Sequence, residues 1–286
     1  EMKLEIGGDI TDPGKPGGAS DDRYGWNAHS VFVIDGATGI AEREVMAEGD
    51  AAWLAAHAAR MFADAGDRPV AETVAAINAL ARDLYHAAAG SDDLPRHMWP
   101  AAAFQMLRIE GDRLVTYGLG DCRLFLQDAA GHVFETTALK GNRAKEIAAA
   151  RAHLQRIGGF RGAADITGDA ETMAMLRAGR ARQNTPDGKV FTLGLVPEAA
   201  DHVVREDCGL LPPVRGLLCS DGFAALCDNY DALSPAGLID AAFRDGLPPL
   251  LEHLRRIERI DDPEGEKFPR YKVSDDAAAV AFRIRP

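Results

Sequence analysis

Apolar positions recur along this chain in two styles. "VFVID" at Val31–Asp35 and "LLCSDG" at Leu217–Gly222 are continuous apolar runs that meet an acid and then a glycine. Short runs of this kind predict strands buried on both faces. "MKLEIGGDI" alternates and predicts a strand at the start, followed by a Gly/Pro/Asp loop, "TDPGKPGGASDDRYGWN", and the strand "HSVFVID". Two helices are predicted next. Leu54, Ala58, Met61 and Phe62 share one face of the first, and Val74, Ile77, Leu80, Ala81 and Leu84 recur at helical spacing in the second. The pattern then returns to strands in "AAAFQMLRIE", "RLVTYGLGDCRLFLQD" and "VFETTA", separated by the hairpin turns "GD" and "AAGH". Residues 141–185 read as helical, Ala/Arg-rich and interrupted by "GGFRGAADITGD". Strand-like stretches follow at "KVFTLGLV", "ADHVVRE" and "PVRGLLCSDG", then helices near 234–244 and 249–259. A charged loop, "DDPEGEKFPRYKVSDD", enters the last strand, "AAAVAFRI". This order predicts an α+β protein with antiparallel sheet inside and helices segregated outside.

Composition narrows the function classes. The 286 residues are 47% hydrophobic and 27% charged, enough for a sizeable core. The net charge of −12 argues against a nucleic-acid partner and fits a cation site better. Cys122, Cys208, Cys219 and Cys227 form no CxxC pair and read as reduced thiols. No apolar run reaches membrane-spanning length and no signal-peptide pattern opens the chain. The expectation is a cytoplasmic protein with no membrane partner.

The candidate chemistry lies in acids at strand boundaries. Asp21 and Asp22 precede one strand, Asp35 ends it, Asp121 sits in "GLGDCR", Asp221 in "LLCSDG", and Asp275 and Asp276 open the last strand. Clustered carboxylates stay ionised together only with positive charge among them. Oxygen-only ligands favour hard divalent ions such as Mg²⁺ or Mn²⁺, and two such ions can activate water and clamp a phosphoryl group. A solvated loop pair is an alternative for Asp21 and Asp22, and a plain hairpin-turn residue is one for Asp121.

At these residues the chain resembles the metal-dependent protein phosphatases of the PPM, or protein phosphatase 2C, type. "SDDRYG" resembles the family's "NED" segment, "VFVIDGATG" its "DGxGG" strand end, "GLGDCRLFL" its "GDSR" hairpin, "LLCSDGF" its "SDG" strand end, and "SDDAAAVAFRI" its "DNxT" strand. The five stand in the family's order from about residue 18 to 285. The resemblance implies a four-layer α-β-β-α sandwich, two central antiparallel sheets flanked by helix pairs, filling residues 1–286 as one catalytic domain. It implies two Mn²⁺ or Mg²⁺ ions and a weaker third. Asp35 would bridge the pair and the Gly36 carbonyl would complete one site. Asp221 and Asp275 would hold the first metal and Asp21 the second. Asp22 would orient water, and Asp121 would hold the third ion. Asp35 and Asp22 are thus the catalytic candidates.

The departures from the family pattern are specific. The phosphate-binding Arg that many members carry just before the acid pair has no clear counterpart, leaving Lys15 and Arg23 as substrate-binding candidates. Ala37 stands where some members have a His, "PAAAF" replaces a Thr-containing strand start, and "SDD" replaces "NED". Residues 140–197 fall where the family has a variable flap and carry Arg143, Arg151, Arg156, Arg161, Arg177, Arg180 and Arg182. The loop with Lys267, Arg270 and Lys272 is the other candidate for substrate contact. The leading expectation is a serine/threonine protein phosphatase that activates water for in-line attack on phosphorus. The alternatives are a small-molecule phosphatase of the same fold and a non-catalytic pseudophosphatase or binding module.

Overall fold

The computed structural model describes residues 2–141, 143–160 and 166–286. Arg161 lies outside the described residues. Two five-stranded antiparallel sheets form the centre. The first runs β1 (Lys3–Asp12), β10 (Ala277–Arg285), β9 (Val214–Cys219), β6 (Arg123–Asp128) and β7 (Val133–Thr136). The second runs β2 (Arg23–Trp26), β3 (Ser30–Gly36), β4 (Ala102–Glu110), β5 (Arg113–Leu119) and β8 (Val204–Asp207).

Strand periodicity of two sorts the apolar runs into three cores. Val31, Val33, Leu124, Leu126, Leu218, Val280 and Phe282 point between the sheets. Phe32, Ile34, Phe104 and Met106 point outward onto α1 (Asp50–Ala63) and α2 (Val70–Ala89), where they meet Leu54, Phe62, Val74 and Ile77. Phe125, Leu217, Cys219 and Ala279 point the other way, onto α5 (Asp221–Asp228), α6 (Pro235–Asp245) and α7 (Leu247–Arg256). A strand buried on both faces needs apolar residues at every position, which is why these runs do not alternate. The layers are therefore helices, sheet, sheet, helices, as expected, with α5 as an added short helix on one side.

Four details differ from the sequence reading. The stretch at Arg23–Trp26 is a strand, not loop, because it pairs with Val31–Ile34 through a tight turn closed by Asn27 N–H to Ser30 O at 2.9 Å. "KVFTLGLV" makes only an isolated bridge between Leu193 and Ala102. From Phe104 onward both edges of β4 are already taken by β3 and β5, so no further ladder is open to it. The buried face of α2 is Val70, Val74, Ile77, Ala81 and Tyr85, which leaves Leu80 and Leu84 exposed. Residues 221–228 form α5, a helix the pattern did not predict.

The 140–197 segment contributes α3 (Arg143–Ile157) and α4 (Ala170–Arg182). Asp169 caps α4, accepting from Glu171 N–H and Thr172 N–H, and also pairs with His153 and Arg156. From α4, Arg177 donates to Ile40 O at 2.8 Å and pairs with Glu42 at 3.0 Å, and Arg180 donates to Thr38 O at 3.2 Å. These contacts hold α4 against the loop that follows Asp35. Burial depresses the Arg180 guanidinium to about 10. On the other side His153 of α3 lies against Tyr271, ring centroids 5.6 Å apart, in the charged loop before β10.

Candidate metal centre

Each sheet carries acids to the same end of the sandwich. Asp35 is the penultimate residue of β3, and Gly36 ends the strand opposite Ala102. A Cβ on Gly36 would stand 2.7 Å from the Asp21 carbonyl oxygen, so glycine lets the loop bearing Asp21 and Asp22 lie directly on the strand end. From the other sheet, β9 ends at Cys219, and Asp221 opens α5 two residues later. The Asp221 N–H donates to Asp35 Oδ2 at 3.3 Å. That bond joins the two sheets and places the Asp35 carboxylate at a helix start, where a negative charge is favoured.

The entry to β10 locks the third side. Asp276 accepts from Gly14 N–H at 2.9 Å and from Asp21 N–H at 2.6 Å. Gly222 packs against it so closely that a Cβ there would overlap the Asp276 carbonyl oxygen. Asp275 faces the other way. Its carboxylate takes the Lys272 ammonium at 2.5 Å and its own next N–H, that of Asp276, at 2.9 Å. Asp276 is thus a strut for the backbone, while Asp275 remains with the other acids.

The electrostatics are those of an acid cluster short of positive charge. The Asp35 carboxyl is pushed well above the carboxylate range by burial and then by Asp22, Asp221 and Asp121. Asp22 is pushed up likewise, by burial first and then by Asp276, Asp275 and Asp221. Asp22 is fully buried, and neither of its carboxylate oxygens has a hydrogen-bond partner among the described residues. The Ser220 hydroxyl lies near enough to ease its charge but is engaged with Ala278, accepting its N–H at 2.9 Å. Burial, Asp276 and Glu44 push Asp21 up to about 6 against Lys272 and Arg23. Burial, Asp121 and Asp275 push Asp221 up to about 7. Asp121 is raised by burial, Glu146 and Asp275. Asp121 and Asp221 keep exposed surface, so the cluster opens to solvent at its mouth.

The donor set suits a hard divalent cation. It is all oxygen, it comes from five separate segments, and it contains a buried carboxylate with both oxygens unpartnered. As the side chains stand, no group of three or more His, Cys, Asp or Glu among the described residues is closed around a metal-ion position. The Lys272 ammonium occupies one carboxylate of the set, and the remaining acids repel each other.

The two expected substrate cations differ in their surroundings. Arg23 folds back and donates to Ser20 O at 2.6 Å and Asp22 O at 2.7 Å, bracing the loop. Lys15 is exposed to solvent. Sequence reasoning did not single out Glu44, whose charge reaches Asp21, or Glu146 of α3, whose charge reaches Asp121. Neither ends an apolar strand, so the pattern that marked the other acids was absent from both.

No family profile matches the sequence, and no curated protein matches it significantly. Solved structures do match. The catalytic domain of the serine/threonine protein phosphatase PstP in complex with two manganese ions is 16% identical, with a TM-score of 0.54 over all of both chains. The PPM Ser-Thr phosphatase MsPP from Mycobacterium smegmatis, in complex with cacodylate, is 18% identical, with a TM-score of 0.53 over 96% of each chain. PppA, a key regulatory component of T6SS in Pseudomonas aeruginosa, is 14% identical, with a TM-score of 0.52 over 99% of this chain and 100% of its own. This protein shares their fold. Among the described residues no helix is long and apolar enough to cross a membrane.

Proposed function

We propose that this protein is a metal-dependent phosphomonoesterase of the PPM type, acting on phosphoserine or phosphothreonine in proteins. The observation that carries the reading is the convergence of Asp21, Asp22, Asp35, Asp121, Asp221 and Asp275 from both sheets, tied by the Asp221-to-Asp35 bond. The shared fold with phosphatases, one of them in complex with two manganese ions, supports Mn²⁺ or Mg²⁺ as the cofactor. In this reading Asp35, Asp221, Asp275 and the Gly36 carbonyl would hold one ion, and Asp35 together with Asp21 would hold a second. Asp121 would hold a weaker third ion. Bound ions would neutralise the cluster, lower the pKa of a water and stabilise charge on phosphorus oxygens. The chain's own contribution is placement. Asp276 fixes the Asp21 loop through two backbone bonds. Buried Asp22, whose carboxylate oxygens have no hydrogen-bond partner among the described residues, would orient a water and take its proton. Residues 140–197 act as the flap, with α4 held on the loop after Asp35 by Arg177 and Arg180.

The experiment is hydrolysis of a generic aryl phosphate by the purified protein with added Mn²⁺ or Mg²⁺. Activity that disappears with chelator and returns with either ion supports the reading. Activity indifferent to chelator, or restored only by zinc, contradicts it. A phosphopeptide panel set against a metabolite panel separates a protein phosphatase from a small-molecule one. A protein that binds Mn²⁺ without turnover on either panel is the non-catalytic alternative.

A further inference from the structure

A phosphatase needs positive charge for its substrate as well as for its carboxylates, and one candidate of the N-terminal loop is committed to the backbone. Arg23 is bound to backbone carbonyls, and Lys15 is exposed. One cation does enter the acid array. The Lys272 ammonium contacts Asp275 at 2.5 Å, with the side chain one-third exposed to solvent. Its charge is felt beyond that contact, since it eases the carboxyls of Asp21 and Asp221. Its neighbours on the loop are otherwise engaged. Arg270 is locked onto Asp262 at 3.0 Å and onto the carbonyls of Glu258 and Val273, and Lys267 lies 4.9 Å from the Phe268 ring centroid.

We propose that Lys272 is a cation with two alternative partners: the Asp275 carboxylate, which it contacts here, and the substrate's phosphoryl group where a divalent ion takes Asp275. The inference rests on the phosphomonoesterase reading and assigns that site a phosphate-binding residue. The geometry favours the exchange. An ammonium on a four-carbon stem can move several ångströms by rotation about its own bonds, and its three donors suit a phosphoryl oxygen as a point charge. A divalent ion that takes over the Asp275 carboxylate removes the partner that now fixes the lysine. The partner exchange breaks and forms only hydrogen bonds and ion pairs, with no proton or electron left over.

The test measures two ligands on one set of variants. Mn²⁺ is titrated calorimetrically into the wild type, Lys272→Gln, Lys272→Arg and Lys267→Gln. Inorganic phosphate is then titrated into each Mn²⁺-saturated protein. Lys272→Gln should bind Mn²⁺ several-fold more tightly and phosphate about tenfold or more weakly, the loss expected for one charge-assisted hydrogen bond. Lys272→Arg should keep phosphate binding within about threefold, since it keeps a cationic donor. Lys267→Gln should change neither, which separates direct contact from the general field of a nearby charge. Lys272→Met stands in if Lys272→Gln fails to fold. Unchanged phosphate affinity in the neutral variant overturns the proposal. So does a parallel loss of both ligands, which is the mark of a merely structural residue, and so does a loaded wild type that binds no phosphate. Aryl phosphate turnover by the wild type tests the parent reading separately: turnover with an unaffected Lys272→Gln removes only the role of Lys272.

Discussion

At the residue scale the acids of the candidate centre differ in their contacts. Asp35 joins the sheets by accepting the Asp221 N–H, and it is crowded by three other acids. Asp35→Asn keeps its size and that bond but cannot bridge two cations as an anion. Metal affinity should fall, and turnover should fall at least about a hundredfold, in the range for loss of a key electrostatic element. The metal-free variant should melt no lower than wild type, because one of several mutually repelling charges is gone. Calorimetric Mn²⁺ titration and melts with and without metal check this. An equal Mn²⁺-induced rise in melting temperature in both proteins would sink the bridging role. Asp275 and Asp276 differ in the same way. Asp276 uses both oxygens on backbone N–H groups, and an asparagine has one acceptor oxygen for the two. Asp276→Asn should cost about 1 kcal/mol of stability and keep most activity, whereas Asp275→Ala should abolish it. The opposite ranking in a chelator-controlled assay would reverse the two roles.

At the scale of elements, the centre depends on how close α5 comes to the entry of β10. Gly222, in the first turn of α5, has no room for a side chain against the Asp276 carbonyl. Backbone must move for Gly222→Ala, and overpacking of this kind costs about 1–3 kcal/mol. The shift also draws Asp221 away from Asp275, so Mn²⁺ affinity should drop about tenfold or more in the folded variant. A Gly222→Ala protein with normal melting and normal Mn²⁺ binding would show that this packing does not position the site. Removing a surface ion pair acts differently. Arg177 and Glu42 are both partly exposed, so Arg177→Ala should change global stability by less than about 1 kcal/mol. Its effect should appear locally, as faster protease cleavage in the loop after Asp35, which limited proteolysis would register.

The whole molecule carries the charge of its centre as a pH dependence. An aspartate titrates near about 3.9 in the unfolded chain, while the metal-free fold raises Asp21 to about 6 and Asp221 to about 7. Between those values the folded state holds more protons than the unfolded state, so these groups lower stability as pH rises through that window. Asp169 acts in the opposite sense. It is held below its usual range by Thr172, His153 and Arg156, and its stabilising share is lost as pH falls below the unfolded value. The metal-free protein should therefore show a melting temperature that declines toward neutral pH more steeply than that of Asp221→Asn. Mn²⁺ should remove much of the difference. Scanning calorimetry of both proteins from about pH 4.5 to 7.5, in chelator and in Mn²⁺, decides it. Parallel curves in chelator would mean that Asp221 titrates near its unfolded value.

The sequence by itself determined the class, antiparallel sheet with helices outside, and marked most of the acids that the fold brings to one end. Unbroken apolar strands require cover on both faces, and an acid followed by glycine at a strand end has few structural uses, so "VFVIDG" and "LLCSDG" declared themselves locally. What the pattern could not resolve was which side each apolar residue takes. Leu217 and Leu218 look alike in sequence, yet one packs on helices and the other between sheets. Short elements were also lost. β2 exists through its pairing with β3, and α5 is only eight residues long, too brief for its periodicity to register. The tertiary structure alone decided which of the acids stand together in the candidate centre. Asp35 meets Asp221 across 186 residues, and Asp276 meets Asp21 across 255. It also turned Arg23 inward to the backbone and brought Lys272 onto Asp275. Residue type and local spacing record what a side chain can do. Which charge lies beside which depends on chain closure over such distances, and no local pattern carries that information.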